Sequence, residues 1–386
     1  MKLYYWSPFF ANVATEKAVV NSIESVIKFS KKKMTPYLLD VIGEWGSQKK
    51  KLLHKDILIK DILKFKLIKY LPKYGFIKSR LSYITVFLFS IFKLHKILKE
   101  EKPDFIIIHL MTFIPLFLLL LFNYKTKFIL RISGYPKLNF FRSFFWKIVG
   151  KKIYLITTPT KLTSDLLCEN KIFELRKIKY LPDPVLNLSK IKEIRNNRES
   201  VEKQVSTKNT IISIGRLTRQ KNFKFLILAF KEINKKYPNL NLFILGDGEE
   251  KNELMSLIEK LNLKEKIFLV GYKKNIYEYL KNSKIFVLTS LWEDPGFVLV
   301  EAGYMNKTVF SSDCLNGPKE ILENEKNGFL FKSNSKKDFL SKFDEIINTD
   351  KKLIFEKKIS FKKKVKEFTL SNHYKILNSL LTKNEN

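Results

Sequence analysis

The chain has 386 residues, 45% of them apolar, and a formal charge of +34 from 72 Lys and Arg against 38 Asp and Glu. That length accommodates two domains of ordinary size, each with its own core, and the positive excess predicts attraction to phosphate-bearing partners: nucleic acid, an anionic membrane or charged substrates. Cys168 and Cys314 are the only cysteines and no C-x-x-C pair exists, which excludes a disulfide scaffold or a structural zinc site and fits a reducing compartment.

From the start, a single lysine and a short strand-like run ended by Pro8 do not make a signal peptide, so the mature chain is expected to begin at Met1. Short apolar runs at residues 2–6, 35–42, 104–109, 127–132, 153–157 and 178–181 read as strands separated by helices. That alternation is the pattern of a parallel sheet covered on both faces. Residues 105–122 are almost wholly apolar and near the minimum length for a bilayer span. His109, Thr112 and Pro115 interrupt the run where a strand would hand over to a helix, so it is expected to be core. Residues 49–73 and 140–147 interleave apolar side chains with lysines. Either they are interfacial helices, or helices packing an apolar stripe on the core with solvated lysines outside.

Residues 186–209 turn polar, the best linker candidate. The alternation then restarts: strand 210–213, helix 222–236, strand 240–245, helix 249–261, strand 267–270, helix 276–281, strands 284–288 and 308–311, and a helical tail from 337. The expected organisation is an N-terminal Rossmann-like domain (1–190), a linker (191–209), a second Rossmann-like domain (210–365) and a C-terminal helical tail (366–386) that crosses back to the first domain. The fold class is therefore α/β, with two doubly wound parallel sheets whose carboxyl edges would frame a central cleft.

The segment 290–301 is the richest in chemistry. Glu293 falls in a turn broken by Pro295-Gly296, and Glu301 lies about two helical turns further on. A strand, a tight turn and a helix start leave backbone N–H groups unpaired beside the positive end of the helix dipole, which makes an anion site. Upstream, the strand at 210–213 runs into Gly215-Arg216 and Lys221 just before a helix. Gly215 frees the turn, while a guanidinium fork and an ammonium at a strand edge suit a diphosphate. Gly246 and Gly248 are read as serving turn geometry. No Asp-x-Asp sequence occurs.

In these residues the chain resembles the retaining glycosyltransferases of family 4, which share the two-domain GT-B fold. The resemblance is carried by Gly215-Arg216, Lys221, Gly246-Asp247-Gly248, Gly271, Glu293 to Glu301 and the run from Ser312 to Glu320, and it covers the N-terminal half only loosely. It implies that Arg216 and Lys221 hold the donor diphosphate and stabilise the leaving group without a metal. It further implies that Glu301 holds the ribose hydroxyls and that Glu293 meets the sugar. The backbone of Gly296, Phe297 and Val298 would lie near sugar and phosphate, with the Gly271-Tyr272 turn beside the base. His109 ends a strand where the family often keeps a histidine near the donor sugar, and Arg131 and Ser133 end the next strand as acceptor candidates. Residues 7–15 lack the glycine-rich loop common in the family, which leaves Asn12 and Thr15 as acceptor contacts or helix caps.

The activity that this resemblance implies is that of a metal-independent transferase without a cofactor. It would move a hexosyl or N-acetylhexosaminyl group from a nucleotide-sugar, UDP-linked, to a saccharide or lipid-linked acceptor in surface-polysaccharide or lipopolysaccharide synthesis. It would act in the cytoplasm, peripheral on the anionic inner face of the plasma membrane. Two alternatives stand beside it: a nucleic-acid-binding protein, which the scattered charge and missing recognition motifs argue against, and a nucleotide-sugar hydrolase or epimerase on the same fold.

Overall fold

The computed structural model describes residues 1–10, 14–72, 76–196, 205 and 209–382. Asn12 and most of the expected linker, 197–204 and 206–208, lie outside the described residues. The chain forms two compact units, Met1–Val185 with Leu370–Asn386, and Leu186–Thr369.

In the first unit seven strands form one parallel sheet: β1 (Lys2–Trp6), β2 (Thr35–Asp40), β3 (Leu58–Asp61), β4 (Phe105–Ile108), β5 (Lys127–Arg131), β6 (Leu155–Thr158) and β7 (Ile178–Tyr180), in the order β3-β2-β1-β4-β5-β6-β7. Successive side chains on a strand point to opposite faces, and this sheet uses both. Tyr4, Trp6, Ile106, Ile108, Phe128 and Leu130 enter one core, shared with the helices Phe76–Glu100, Phe113–Leu121 and Phe140–Gly150. Leu3, Tyr5, Phe105, Ile107 and Ile129 enter the other, closed by Ala14–Phe29 and by the C-terminal helix Leu370–Thr382 through Leu377 and Leu381. Near-continuous apolar strands are what burial on both faces requires.

The second unit has six parallel strands: β8 (Thr210–Ile214), β9 (Asn241–Leu245), β10 (Ile267–Gly271), β11 (Ile285–Leu288), β12 (Thr308–Ser312) and β13 (Phe329–Phe331), ordered β10-β9-β8-β11-β12-β13. Ile211, Leu242, Ile244, Val287 and Phe310 pack on Leu226 and Phe230 of the helix Phe223–Lys236 and on Phe339 and Phe343 of the helix Lys336–Asn348. In each sheet the chain builds outward on one side, then returns to build on the other. The reversal lies between β1 and β4 in the first unit and between β8 and β11 in the second, and beyond the carboxyl ends of such strands an open α/β sheet offers its crevice.

Some expectations need correction. Of the stretch 49–73, the described residues 49–72 do not form an interfacial helix: Lys49–Leu53 is one short helical turn, and Leu58–Asp61 then pairs in parallel with β2. The strand was missed because it is a sheet edge with little burial to mark it in sequence. β13 was missed because three residues are too few to carry a period. Residues 191–196, expected as linker, continue the helix Leu188–Asn196. Thr15 is the second residue of the helix Ala14–Phe29, inside its first turn and not its cap. The apolar run at 105–122 is β4 followed by the helix Phe113–Leu121, whose Ile114, Leu116, Leu118 and Leu119 are buried, as expected for core. Among the described residues, the stretch long and apolar enough to cross a membrane is instead Arg80–Glu100, most of which is not buried inside its unit.

Candidate active site

In the second unit the loops that follow β8 and β11 are stitched together by backbone. Leu291 N donates to Gln220 O at 2.8 Å, Gln220 Nε2 to Trp292 O at 2.9 Å, and Thr289 Oγ1 to Lys221 O at 3.0 Å. This stitching sets Lys221 Nζ 2.5 Å from Glu293 Oε1, and the same oxygen accepts from Ser290 Oγ at 2.5 Å. Lys221 retains 13% side-chain exposure and Glu293 4%. An ion pair so far from water persists only where each charge has partners, because desolvating either alone costs several kcal/mol.

The glycines explain how the loops come so close. A Cβ on Gly215 would stand 3.0 Å from Lys221 Cγ, so a side chain there would push the ammonium stem away. Gly246 has φ +143°, and a Cβ there would fall 1.8 Å from Gly215 O. Gly246 thus serves the close approach of two loops, in line with the turn role read from the sequence.

Glu293 is held from its other side by the loop after β12. Glu293 N donates to Leu315 O at 3.1 Å, and Asn316 Nδ2 donates to Asp294 Oδ1 at 3.1 Å. Cys314 is buried in that loop, and burial pushes its thiol up to about 12, so it is an inert thiol at neutral pH. Gly296, at φ +101°, turns the chain into the helix Phe297–Tyr304, whose start has no side-chain cap. Its first N–H groups, at Phe297 and Val298, belong to the set that a helix leaves unpaired.

Arg216 and Glu301 are placed differently from the pair. Arg216 is exposed on the loop after β8, and its guanidinium has no ion pair among the described residues. Glu301 is 4% exposed and accepts from Tyr277 Oη at 3.3 Å, a contact made by the helix Ile276–Lys281 that follows β10. Burial, then the Glu301 charge, drives the Tyr277 phenol well above its ordinary value, so it stays a donor. Tyr272, just past β10, is 77% exposed beside Gly271 at φ +78°. Thus Lys221 and Glu293 are in direct contact, while Glu301 is positioned by a separate element. Among the described residues no group of three or more His, Cys, Asp or Glu could hold a metal ion.

In the first unit His109 follows β4 directly, its N–H donating to Trp6 O at 2.9 Å across the β1/β4 reversal. The side chain is 7% exposed, its ring stacks near Tyr5 with centroids 6.1 Å apart, and Nε2 has no partner among the described residues. Burial, reinforced by the Arg131 charge, holds its pKa well below the ordinary 6.5, so the imidazole is neutral. Arg131 is engaged internally: Nη1 donates to Leu181 O at 2.5 Å and Nη2 to Asp183 Oδ1 at 2.6 Å, with only 2% of the side chain exposed. Those bonds fasten the chain after β7 to the sheet. Ser133 Oγ, by contrast, is buried with no partner among the described residues.

The profile of the Glycosyl transferases group 1 family matches residues 194–368. A galactosyltransferase of Escherichia coli, "UDP-Gal:alpha-D-GlcNAc-diphosphoundecaprenol alpha-1,3-galactosyltransferase", is 30% identical over 69% of this chain and 71% of its own length. The chain belongs to the group 1 glycosyltransferases. An uncharacterized glycosyltransferase of Methanocaldococcus jannaschii is 38% identical over 61% of this chain, a match that takes in 62% of that relative, less than two thirds. The crystal structure of Anabaena HepE in complex with UDP aligns over 99% of this chain and 100% of its own with a TM-score of 0.72 at 14% identity. That likeness shows the fold, GT-B, in which the parallel sheets of seven and six strands take their place.

Within this family frame, sequence reasoning missed Ser290, Tyr277 and Asn316, each of which orients a carboxylate already singled out or its neighbour. Ser290 was the findable one: a hydroxyl three residues before Glu293 across a tight turn is a common local partner. Tyr277 comes from a separate helix, 24 residues before Glu301, and no local spacing reveals it.

Proposed function

We propose that this group 1 glycosyltransferase moves a hexosyl or N-acetylhexosaminyl group from a UDP-linked donor to a lipid-linked saccharide, with retention and without a metal ion. The observation that carries the reading is the Lys221–Glu293 pair at the β8/β11 reversal, where an open α/β sheet offers its ligand crevice. A cation beside an uncapped helix start suits a diphosphate, and a desolvated carboxylate held in one orientation suits a sugar hydroxyl. In this reading Arg216 and Lys221 neutralise the departing diphosphate. Glu293 and the N–H groups of Gly296, Phe297 and Val298 orient the sugar. Glu301, fixed by Tyr277, takes the ribose hydroxyls, and the Gly271-Tyr272 turn lies beside the base. Attack from the front face, with the diphosphate receiving the acceptor's proton, needs no nucleophilic carboxylate.

The UDP in the HepE crystal structure and the diphosphoundecaprenol-linked substrate in the name of the Escherichia coli relative support the choice of donor and acceptor. The net charge and the exposed Phe140, Phe141 and Phe144 on the helix Phe140–Gly150 support attachment to an anionic leaflet on the cytoplasmic side.

Transfer kinetics with a UDP-sugar series test the reading. Arg216→Ala should lower kcat about a hundredfold, whereas Glu301→Ala should chiefly raise the donor KM, about tenfold. Wild-type constants in both variants, or no thermal stabilisation of the protein by UDP, would remove the assignment.

A further inference from the structure

The first unit contains a cavity of about 960 Å³. Ile84 and Phe87 of the helix Phe76–Glu100 and Phe141 and Phe144 of the helix Phe140–Gly150 are among its apolar lining. His109 and Ser133, beyond the carboxyl ends of β4 and β5, also belong to its lining, with Nε2 and Oγ buried and without partners among the described residues.

We propose that this trough holds the apolar chain of the diphosphate-linked lipid acceptor, a step that rests on the lipid-linked reading above. A soluble protein rarely leaves a contiguous apolar surface uncovered, yet Ile84 is 56% exposed, Phe141 81% and Phe144 59%. The size favours a chain over a protein partner, since a volume of this order is that of a small-molecule site. Charge fixes which kind of lipid. Arg142 lines the trough, is exposed, and is steadied by donating Nη1 to Lys137 O at 2.9 Å and by lying over the Trp146 ring at 5.7 Å. A guanidinium held this way at the margin of an apolar trough suits a phosphate joined to a hydrocarbon. Exposed apolar residues continue beyond the trough along the long helix, at Leu88 (60%) and Phe92 (79%), so a chain drawn from a membrane would not cross water.

The test uses the purified full-length protein and a short isoprenyl diphosphate carrying a terminal diazirine. Irradiation should label peptides from the helices Phe76–Glu100 and Phe140–Gly150, and unlabelled isoprenyl diphosphate, but not UDP, should compete. Ile84→Trp, which fills the trough from an exposed position, should cut labelling about tenfold, the effect of losing the burial of about two methylenes. Phe144→Asp should do the same while each variant keeps the wild-type thermal shift with UDP, which shows that it folds. Labelling scattered over the surface, labelling unmoved by both substitutions, or a Phe144→Asp effect on self-association alone would overturn the proposal. UDP stabilisation with an unlabelled trough would end this proposal and leave the donor reading standing. A labelled trough without UDP stabilisation would do the reverse.

Discussion

The two sheet reversals in this chain share a backbone geometry and differ in chemistry. Past β8 and β11 the loops converge on a buried ion pair, with Ser290 completing the carboxylate's partners. Past β1 and β4 the titratable group is a neutral imidazole lying against Tyr5, opening on an apolar trough. An ionic site tolerates few residue types, because each buried charge needs a partner of opposite sign at hydrogen-bonding distance. An apolar trough is satisfied by many side chains of about the right volume. The same fold thus carries one end whose sequence is nearly dictated and another whose sequence is free to vary.

The most severe way to break that contrast is to remove one charge of the pair. Lys221→Ala leaves Glu293, 3% exposed, without its cation, and should destabilise the protein by about 3 kcal/mol while reducing transfer at least about a hundredfold. Replacing both Lys221 and Glu293 by Ala should recover part of the stability and none of the activity, because the two losses are coupled and not additive. Urea unfolding read beside kcat decides it. Equal instability in the single and double variants would mean that the pair does not organise the loops.

The neutral end answers to pH. The unfolded-state His109 titrates near 6.5, whereas burial and the neighbouring Arg131 guanidinium hold the folded-state value well below that. Below pH 6.5 the unfolded chain therefore takes up a proton that the native chain refuses, and stability falls as pH falls, by up to about 1.4 kcal/mol per pH unit for each such group. Above 6.5 the full stability is present. His373 acts in the same direction, its folded-state value lowered to about 3 by burial. His109→Gln should flatten the dependence of the urea midpoint between pH 6.5 and about 5 by close to one proton's worth. An unchanged slope would mean that the imidazole protonates in place.

That contrast also explains which parts of the molecule are legible in sequence. The Gly215-Arg216, Lys221 and Glu293–Glu301 runs were legible because ionic chemistry constrains residue type at fixed spacing, and the long apolar strands were legible because both their faces are buried. β3 was not, since an edge strand such as Leu58–Asp61 needs no apolar face to pair. Arg131 was read as a free anchor because its partners, Leu181 and Asp183, lie fifty residues downstream, beyond any local pattern. The trough escaped for a related reason: its walls come from helices far apart in sequence, and neither helix alone has a groove.

The gentlest perturbation separates two glycines that look alike in sequence. Gly246 and Gly271 each close a strand of the second sheet with φ above zero, but a Cβ on Gly246 would collide with Gly215 O, whereas one on Gly271 would meet nothing within 4 Å. Gly271→Ala should therefore cost only the strain of a left-handed residue, about 1 kcal/mol, seen as a drop of a few degrees in the melting midpoint. Gly246→Ala must in addition push apart the loop that carries Gly215 and Arg216, and should lose more. If the two variants melt together, the contact between the loops after β8 and β9 contributes nothing to holding the cationic loop, and the placement of Arg216 must rest on its stitching to the loop after β11 alone.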